Sequence, residues 1–245
     1  MSHQKIVTFE FNLKRGLTVK VLPKAIIFDL DGVITDTAEL HFVAWRKLAN
    51  DIRIEIDRQF NESLKGIGRM ESLEKILALD PQKQSISSEE KEKLANQKNE
   101  YYKSLLQSLS PKDILPGIPS LIDEIKQHEI KIGLGSASKN ATLVLEKLEL
   151  INEFDYIVDA SKVKNGKPHP ETFITAADYF GVPYHLCIGI EDAPSGVDAL
   201  KSAGMFAVGV GQSPQLSHAD FLVDSTDNLS FEEVIAAYQT FLVNQ

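Results

Sequence analysis

The chain contains 245 residues, of which 43% are hydrophobic and 25% are charged. These proportions are close to the averages for globular proteins and exclude a disordered or low-complexity chain. Its 35 acidic and 26 basic side chains give a formal net charge of −9, which repels polyanions, so we expect no nucleic-acid partner. At about 150 residues per domain, the length predicts one large domain or one domain that carries an insertion.

The cysteine content and the apolar segments bear on the compartment. Cys187 is the one cysteine of the sequence and cannot form an internal disulfide, which favours a reducing, cytoplasmic setting. No apolar run reaches the roughly 18 residues of a membrane span, and residues 1–24 lack the apolar segment of a signal peptide. We therefore expect a cytoplasmic protein with no membrane contact.

The first elements differ in their pattern. Residues 5–21 alternate apolar and polar side chains about a central turn, which predicts a β-hairpin or, alternatively, a partly ordered tail. Residues 25–31, AIIFDLD, form an apolar run that ends in acids. This pattern predicts a buried parallel strand with its carboxyl end at Asp29 to Asp31. Residues 1–23 are thus predicted to be an extension that precedes the main fold.

A helical segment is predicted between residues 37 and 111. Apolar side chains recur at helical spacing over residues 37–50, and Ser87 with Glu90 forms a capping box that begins a long helix ending near Leu109. The segment contains no convincing strand. It is predicted to be an all-helical cap domain inserted after the first strand.

From residue 118 onward, strands and helices alternate, which is typical of a doubly wound, Rossmann-like parallel sheet. The predicted strands are 131–135, 155–158, 186–190, 206–210 and 221–223. The predicted helices are 118–128, 140–149, 170–180, 194–203 and 231–241. The chain is therefore predicted to be an α/β protein whose core domain comprises residues 24–36 and 112–245, with the cap inserted at 37–111.

Two acids mark the end of the first predicted strand. Asp29 and Asp31 are two residues apart, so an extended strand places both carboxylates on one side, at the edge where open α/β sheets bind ligands. Such a pair can divide its roles, because one carboxylate can attack or bind a metal while the other moves protons. A solvated strand end is the alternative for this pair alone.

Two further predicted strands are followed by polar turns. The motif GLGSASKN places Ser136 and Lys139 directly before a predicted helix, where a hydroxyl, backbone N–H groups and a cation can bind a phosphate. In the motif NGKPHPETF, prolines fix the turn that carries Lys167, which otherwise would be expected to face solvent. Each motif alone is weak evidence.

The fourth motif is IGIEDAPSG, in which Glu191 and Asp192 end an apolar strand. An acid pair at this position can be a helix cap, or it can bind a metal together with the first acid pair. The four motifs in order, an Asp-x-Asp-Gly strand, a serine strand, a Lys-Pro turn and a Glu-Asp strand, form a specific combination.

On these motifs the chain resembles the haloacid dehalogenase superfamily of phosphotransferases, and within it the sugar-phosphate mutases. The resemblance begins at about Lys24 and excludes residues 1–21. Gly68 and Ala193 stand where relatives often have serine, which is expected to have local effects only. The motifs that carry it are FDLDGVITDTAELHFVAW (28–45), FNESLKGIGR (60–69), SASKN (136–140), KP (167–168) and GIEDA (189–193).

The resemblance implies a role for each site residue. Asp29 is implied to be the nucleophile that becomes an aspartyl-phosphate, and Asp31 the general acid/base. Ser136 and Lys167 are implied to neutralise the transferring phosphoryl group. The implied substrate-binding residues are Thr37, His41, Trp45, Gly66, Ile67, Arg69, Lys98, Ala137, Ser138, Lys139 and Asn140.

The resemblance also implies a magnesium ion. Its ligands would be the carboxylates of Asp29 and Asp192, the backbone carbonyl of Asp31, and Glu191 directly or through water, an all-oxygen set that suits Mg²⁺. The implied reaction interconverts β-glucose 1-phosphate and glucose 6-phosphate through β-glucose 1,6-bisphosphate, which is also the activator. A sugar-phosphate phosphatase on the same scaffold is the alternative. We expect the partner to be a small phosphosugar. We expect the protein to be a monomer.

The cap residues keep alternative interpretations. Helical spacing places Trp45 in the core of the cap rather than at a sugar, and it places Lys98 at the surface. His41 fits either a structural or a substrate-binding role. Arg69 is implied to reach the phosphate that is not transferred, and the chain crossings at Thr37 and near Ser110 are expected to act as the hinge.

Overall fold

The computed structural model describes residues 21–64, 66–83, 85–212 and 214–243. The hairpin predicted for residues 5–21 falls outside the described residues except for its last position. In the described ranges the strands are β1 (Ala25–Phe28), β2 (Lys131–Leu134), β3 (Tyr156–Ile157), β4 (Cys187–Glu191), β5 (Phe206–Val210) and β6 (Phe221–Val223). The helices are α1 (Ala38–Asp51), α2 (Arg58–Glu62), α3 (Arg69–Leu77), α4 (Ser88–Leu105), α5 (Ile118–Gln127), α6 (Ala141–Lys147), α7 (Glu171–Phe180), α8 (Pro194–Ala203) and α9 (Phe231–Val243).

The six strands form one parallel sheet in the order β3-β2-β1-β4-β5-β6. The chain adds β2 and β3 on one side of β1 and β4 to β6 on the other, so the strand order reverses between β1 and β4. Open α/β sheets bind ligands at the carboxyl end of such a switch point. The predicted doubly wound α/β fold is confirmed.

The sheet is buried on both faces, which explains the unbroken apolar runs of its central strands. Ile26 and Phe28 of β1 pack into a cluster that includes side chains of α5, α6 and α9. Ala25 and Ile27 point to the opposite face, where they pack with side chains of α7 and α8. Alternation along one strand thus distributes its side chains between two apolar layers.

Helices α1 to α4 lie between β1 and β2 in the chain and share a third apolar cluster, which includes Trp45 and Leu73. Ser87 caps α4 as predicted, because its hydroxyl accepts a hydrogen bond from the backbone N–H of Glu90 at 3.2 Å. That bond is the half of the predicted capping box that the structure records. None of the described helices is both long and apolar enough to cross a membrane.

The chain leaves the sheet for this helical segment and returns to it at neighbouring points. The hydroxyl of Thr35 donates to the backbone carbonyl of Asp113 at 2.7 Å, and the N–H of Leu115 donates to the carbonyl of Ile34 at 2.9 Å. The outgoing and returning segments are therefore held side by side.

Several predicted elements are shorter in the structure. The strand predicted for residues 25–31 ends at Phe28, because the chain turns at Gly32, whose φ is +78°, and Asp29 and Asp31 therefore lie beyond the regular strand. The helix predicted to end near Leu109 ends at Leu105, where it tightens into a 3-10 turn. The helix predicted for residues 140–149 ends at Lys147, because Glu149 adopts a left-handed φ of 59°. The strands predicted for residues 131–135 and 155–158 are Lys131–Leu134 and Tyr156–Ile157.

Candidate active site

Asp29 lies directly after β1 at the point where the strand order reverses. Its backbone N–H donates to the carbonyl of Ile190 at 2.9 Å, which extends the pairing of β1 with β4 by one residue. Its side chain is 6% exposed and accepts a hydrogen bond from Lys167 Nζ at 2.6 Å. The carboxylate is therefore held in one orientation at the floor of a cleft.

Lys167 is buried and joins two carboxylates. Its Nζ is 2.6 Å from Asp29 Oδ1 and 2.5 Å from Glu191 Oε1. Burial would lower the pKa of Lys167, but the two carboxylates outweigh it and raise the pKa above the ordinary value. Burial raises the pKa of Glu191 to about 7, and the charge of Lys167 opposes that rise. The turn after residue 164 thus points this lysine inward, although a lysine in a turn ordinarily faces solvent.

Three carboxylates gather at the same edge. Asp29, Glu191 and Asp192 each offer an oxygen within 4.8 Å of the others. A Cβ at Gly32 would lie 2.2 Å from Asp192 Oδ2, and a Cβ at Gly196 would lie 1.8 Å from Glu191 Oε1. Glycine is therefore required at both positions for the carboxylates to converge. An anionic, oxygen-only set of this kind fits a hard divalent cation such as Mg²⁺.

Asp31 has different surroundings from Asp29. The Thr37 hydroxyl donates a short hydrogen bond to its Oδ1, and His41 Nε2 lies 4.0 Å from its Oδ2. Burial, followed by the nearby charge of Asp29, raises the pKa of Asp31 to about 7. Near neutral pH this carboxyl group can therefore both give and take a proton, as a general acid/base must.

The helical segment contributes a buried cation. Lys98 is 3% exposed, its Nζ lies 2.8 Å from His41 Nδ1, and the same atom stands 4.6 Å from the ring centroids of Trp45 and Tyr102. Burial, together with the charge of Arg69, lowers the pKa of Lys98 to about 7. The surface position that helical spacing alone gave for Lys98 is wrong, because Lys98 and Asn99 of α4 line the cleft. Burial and the charge of Lys98 lower the pKa of His41 well below its ordinary value.

The serine turn after β2 forms the opposite wall. Ser136 Oγ accepts from the N–H of Ser138 at 3.0 Å, and Ser138 Oγ accepts from the N–H of Asn140 at 3.2 Å. The side-chain amide of Asn140 donates to Asn99 Oδ1 of α4 at 2.9 Å. This last bond joins the helical segment to the sheet domain across the cleft.

The structure brings most of the predicted site residues to one cleft. Thr37, Lys167 and Glu191 do not line it and lie buried behind its wall. Trp45 belongs to the apolar cluster of the helical segment, as helical spacing predicts, and it also lines the cleft. The predicted residues that line the cleft are Asp29, Asp31, His41, Trp45, Gly66, Ile67, Arg69, Lys98, Ser136, Ala137, Ser138, Lys139, Asn140 and Asp192.

Sequence reasoning missed several residues of the site. Asn61, Ser72 and Asn99 also line the cleft, and Tyr102 contacts Thr37 from behind it. Asn99 directly follows the predicted Lys98, and this adjacency was the available signal. Asn61 lies within the quoted motif FNESLKGIGR, which was a second signal. Ser72 and Tyr102 sit in ordinary helical patterns that carry no such signal.

The comparisons with known proteins agree with this geometry. Residues 23–204 match the model of the haloacid dehalogenase-like hydrolase family, and the chain belongs to the haloacid dehalogenase superfamily. It is 46% identical to the β-phosphoglucomutase of Bacillus subtilis over 91% of this chain and 98% of that protein. The crystal structure of β-phosphoglucomutase from Clostridium difficile superposes with a TM-score of 0.89 at 54% identity, covering 91% of this chain and all of the other.

A phosphatase is also among the relatives. The chain is 35% identical to a fructose-1-phosphate phosphatase of Escherichia coli over 76% of its length and 95% of that protein. The mutases thus match more of this chain at higher identity than this phosphatase does. The family and the carboxylate cluster at Asp29, Glu191 and Asp192 together imply a divalent metal.

Proposed function

We propose that this protein is a β-phosphoglucomutase, which interconverts β-D-glucose 1-phosphate and glucose 6-phosphate through an aspartyl-phosphate and β-glucose 1,6-bisphosphate. The observation that carries the proposal is the pair of unlike carboxyl groups in one cleft. Asp29 is held by Lys167, whereas burial raises the pKa of Asp31 to about 7. The identities of 46% and 54% to β-phosphoglucomutases support the choice of reaction.

Asp29 is the nucleophile of the proposed reaction. One of its carboxylate oxygens forms a bond to phosphorus as the bond between phosphorus and the sugar oxygen breaks, and Asp31 gives its proton to that sugar oxygen. When the aspartyl-phosphate meets β-glucose 1-phosphate, Asp31 takes the proton of the C6 hydroxyl, whose oxygen attacks the phosphorus as the bond between phosphorus and the Asp29 oxygen breaks, and β-glucose 1,6-bisphosphate forms. The bisphosphate then returns its C1 phosphoryl group to Asp29 and leaves as glucose 6-phosphate. Lys167 and Ser136 neutralise charge on the transferring group, because phosphoryl transfer depends chiefly on positioning and electrostatic stabilisation.

The carboxylates of Asp29, Glu191 and Asp192, with the backbone carbonyl of Asp31, would hold a Mg²⁺ ion. When bound, the ion supplies positive charge to the oxygens of the transferring phosphoryl group. Gly32 and Gly196 make room for this set, which supports the assignment.

We further propose that residues 37–111 form a cap domain on a core of residues 24–36 and 112–245. Arg69, Lys139 and Asn140 bind the phosphate that is not transferred, and Arg69 offers the bidentate geometry that phosphate favours. His41, Trp45 and Lys98 contact the sugar, as do Gly66 and Ile67 of the loop between α2 and α3 and Ala137 and Ser138 of the serine turn. Thr37 acts from behind the wall of the cleft, through its hydrogen bond to Asp31. Closure over the sugar excludes water from the aspartyl-phosphate and so favours transfer over hydrolysis.

The second candidate is a magnesium-dependent sugar-phosphate phosphatase. The 35% identity to a fructose-1-phosphate phosphatase favours it, because the same carboxylates can transfer the phosphoryl group to water. In either case we propose a cytoplasmic monomer whose partner is a small phosphosugar.

A phosphorus NMR time course separates the two candidates. The protein is incubated with β-glucose 1-phosphate and Mg²⁺, with and without a trace of β-glucose 1,6-bisphosphate. A mutase yields glucose 6-phosphate with little inorganic phosphate, and the bisphosphate shortens its lag. Stoichiometric release of phosphate without glucose 6-phosphate would replace the mutase by the phosphatase.

A further inference from the structure

Tyr102 is a fully buried tyrosine of α4. Its hydroxyl is hydrogen-bonded to Thr37, which is in turn hydrogen-bonded to Asp31. Its Oη lies 3.0 Å from Thr37 Oγ1, and the Thr37 hydroxyl donates in turn to Asp31 Oδ1. Tyr102 and Thr37 are both 0% exposed. Three side chains thus form one hydrogen-bonded chain from the helical segment to the carboxyl group that moves protons.

The protons of this chain can be assigned from its chemistry. The Thr37 hydroxyl has one proton, which it donates to Oδ1 of Asp31. An ionised Asp31 can only accept this proton, and a protonated Asp31 keeps the same bond when its own proton is on Oδ2. The oxygen of Thr37 is then free to accept from Tyr102. Burial and the nearby charge of Asp31 raise the pKa of Tyr102 well above its ordinary value, so the phenol keeps the proton that it donates.

We propose that Tyr102 is a positioning residue for Asp31 and acts through Thr37. The chain fixes Oδ1 of Asp31, so that Oδ2 is the oxygen that exchanges a proton with the sugar. This inference rests on the proposed acid/base role of Asp31.

Tyr102 and Thr37 lie at the two places where the helical segment joins the sheet. Tyr102 lies in the last turn of α4, from which the chain returns to the sheet, and Thr37 precedes α1, where the chain has left it. The ring of Tyr102 packs in the apolar cluster of the sheet rather than in that of the helical segment. The hydrogen bonds from Tyr102 to Thr37 and from Thr37 to Asp31 therefore lie where the helical segment joins the sheet, and the packing of the Tyr102 ring against the sheet fixes their outer end.

The packing of the Tyr102 ring can be separated from the role of its hydroxyl. The ring lies 4.0 Å from the His41 ring, centroid to centroid, and Lys98 Nζ stands 4.6 Å from its centroid. Phenylalanine keeps both contacts and removes only the hydroxyl. Tyr102→Phe is therefore the variant that tests the chain of hydrogen bonds.

The test compares two phosphoryl donors. With a sugar phosphate, the leaving oxygen needs a proton from Asp31, whereas acetyl phosphate has a good leaving group that needs little protonation. For Tyr102→Phe we expect kcat with the sugar phosphate to fall by about five- to tenfold, as for one lost hydrogen bond. KM for the sugar phosphate and the rate of aspartyl-phosphate formation from acetyl phosphate should change less than about twofold.

A matched control and a double variant complete the experiment. Tyr238→Phe removes the hydroxyl of an equally buried tyrosine that donates to the His185 carbonyl at 3.2 Å, away from the cleft, and it should change neither donor's rate. In a Thr37→Val background, Tyr102→Phe should have no further effect, because the link to Asp31 is already broken. Thr37→Ser keeps the hydroxyl and should restore the sensitivity to Tyr102→Phe.

Three results would overturn the inference. They are an unchanged kcat with the sugar phosphate, an equal loss with both donors, and a full additional effect of Tyr102→Phe in the Thr37→Val background. The donor comparison is valid whether the acceptor is sugar or water. Failure of the mutase assignment therefore appears as phosphate release by the unaltered protein, and failure of the Tyr102 inference appears as equal slowing with both donors.

Discussion

Lys98 is a cation in surroundings that disfavour its charge. Its ammonium group is buried beside His41 and two aromatic rings, with Arg69 adding repulsion and Asp31 adding attraction. A buried lysine whose pKa falls to about 7 destabilises the folded state whenever it is protonated. The physical reason to keep it is a negatively charged ligand in the cleft.

Lys98→Met is expected to stabilise the fold while it weakens substrate binding. The ordinary pKa of 10.5 falls to about 7 in the folded chain. Between these pH values the unfolded state binds the extra proton, so the stability of the unaltered protein rises with pH over this window. The gain from Lys98→Met should therefore be complete below about pH 7, with a Tm higher by about 3 °C or more, and should vanish near pH 10.

Thermal unfolding at pH 6.5 and 9.5 measures this effect, and steady-state kinetics should show a KM for sugar phosphate raised at least about tenfold. Lys93→Met, on the exposed face of the same helix, is the matched control and should show no pH-dependent gain. A lower Tm for Lys98→Met at pH 6.5 would contradict the prediction.

The pKa of Asp31 leads to a second prediction. Aspartyl-phosphate formation from a sugar phosphate needs protonated Asp31, so its rate should fall about tenfold per pH unit above about pH 7. The reaction with acetyl phosphate should lack this decline. Asp31→Ala should slow the sugar reaction strongly and also remove its pH dependence. Rapid-quench measurements from pH 6 to 9 check this, and parallel pH profiles for both donors would assign the proton transfer to another group.

Individual site residues differ in how far the sequence predicts them. Asp29, Asp31, Lys167, Glu191 and Asp192 follow apolar strands or lie in a proline-fixed turn, and the ends of parallel strands meet at one edge. Their convergence could therefore be expected. Helical spacing, in contrast, does not say which polar face of a helix meets another domain.

That limit is visible on α4. The helical pattern alone gives Lys98 a surface position, because a lysine among Glu, Asn and Gln ordinarily marks a solvated face. The resemblance is what implied its place at the site, and no pattern singles out Tyr102. Both are buried because α4 packs along the cleft and the sheet domain. Such contacts join residues that are distant in sequence, and one sequence contains no record of them.

The loop between α2 and α3 approaches the start of α8. Gly66 has a φ of +73°, and a Cβ there would lie 2.8 Å from Ser195 Oγ and 3.1 Å from the Cβ of Ala193. Among the described residues, Ser195 Oγ is buried without a hydrogen bond. The contact between this loop and the start of α8 therefore leaves no room for a side chain at position 66.

Gly66→Ala should hold the cap away from the core. We expect isomerisation to fall at least about tenfold, while hydrolysis of the aspartyl-phosphate, which needs only water, is unchanged or faster. Gly181→Ala is a matched control, because Gly181 has a similar φ of +65° but no neighbour within 4 Å of its Cβ. Both variants should lose about 1–2 kcal/mol of stability to the left-handed backbone. Equal isomerase activity in the two variants would show that the contact does not limit closure.

Metal dependence concerns the whole active protein. The oxygen-only cluster predicts activation by Mg²⁺, reversible loss of activity with EDTA, and inhibition by Ca²⁺, which tolerates longer bonds and higher coordination. Mg²⁺ should also raise Tm, because it binds the folded state alone. Asp192→Asn should remove this rise in Tm, whereas Asp123→Asn, at an exposed position of α5, should retain it. Full activity in Ca²⁺ alone would contradict the assignment.

The overall architecture was predicted more completely than its details. Apolar runs of β1, β4 and β5 and the alternation with helices indicated a parallel sheet, and burial on both faces confirms the reason for that pattern. The two-residue strand β3 and the early end of α6 depend on turns such as the left-handed Glu149. A glutamate carries no sequence signal for that conformation, so these boundaries could not be derived.

The hydrogen bond from Thr35 to Asp113 joins the chain that leaves β1 to the chain that returns towards β2. We expect this contact to affect the order in which the helices and strands fold during synthesis. Ala25 of β1 pairs with Lys131 and Cys187, so β1 leaves the ribosome long before either neighbour exists. Helices α1 to α4 contact one another within the inserted segment, so they can assemble before β2 is made. Once assembled, they bring the chain after β1 next to the chain before β2, which shortens the effective loop and lowers the entropy cost of pairing these strands. We therefore expect the folded insertion to favour completion of the sheet that it interrupts.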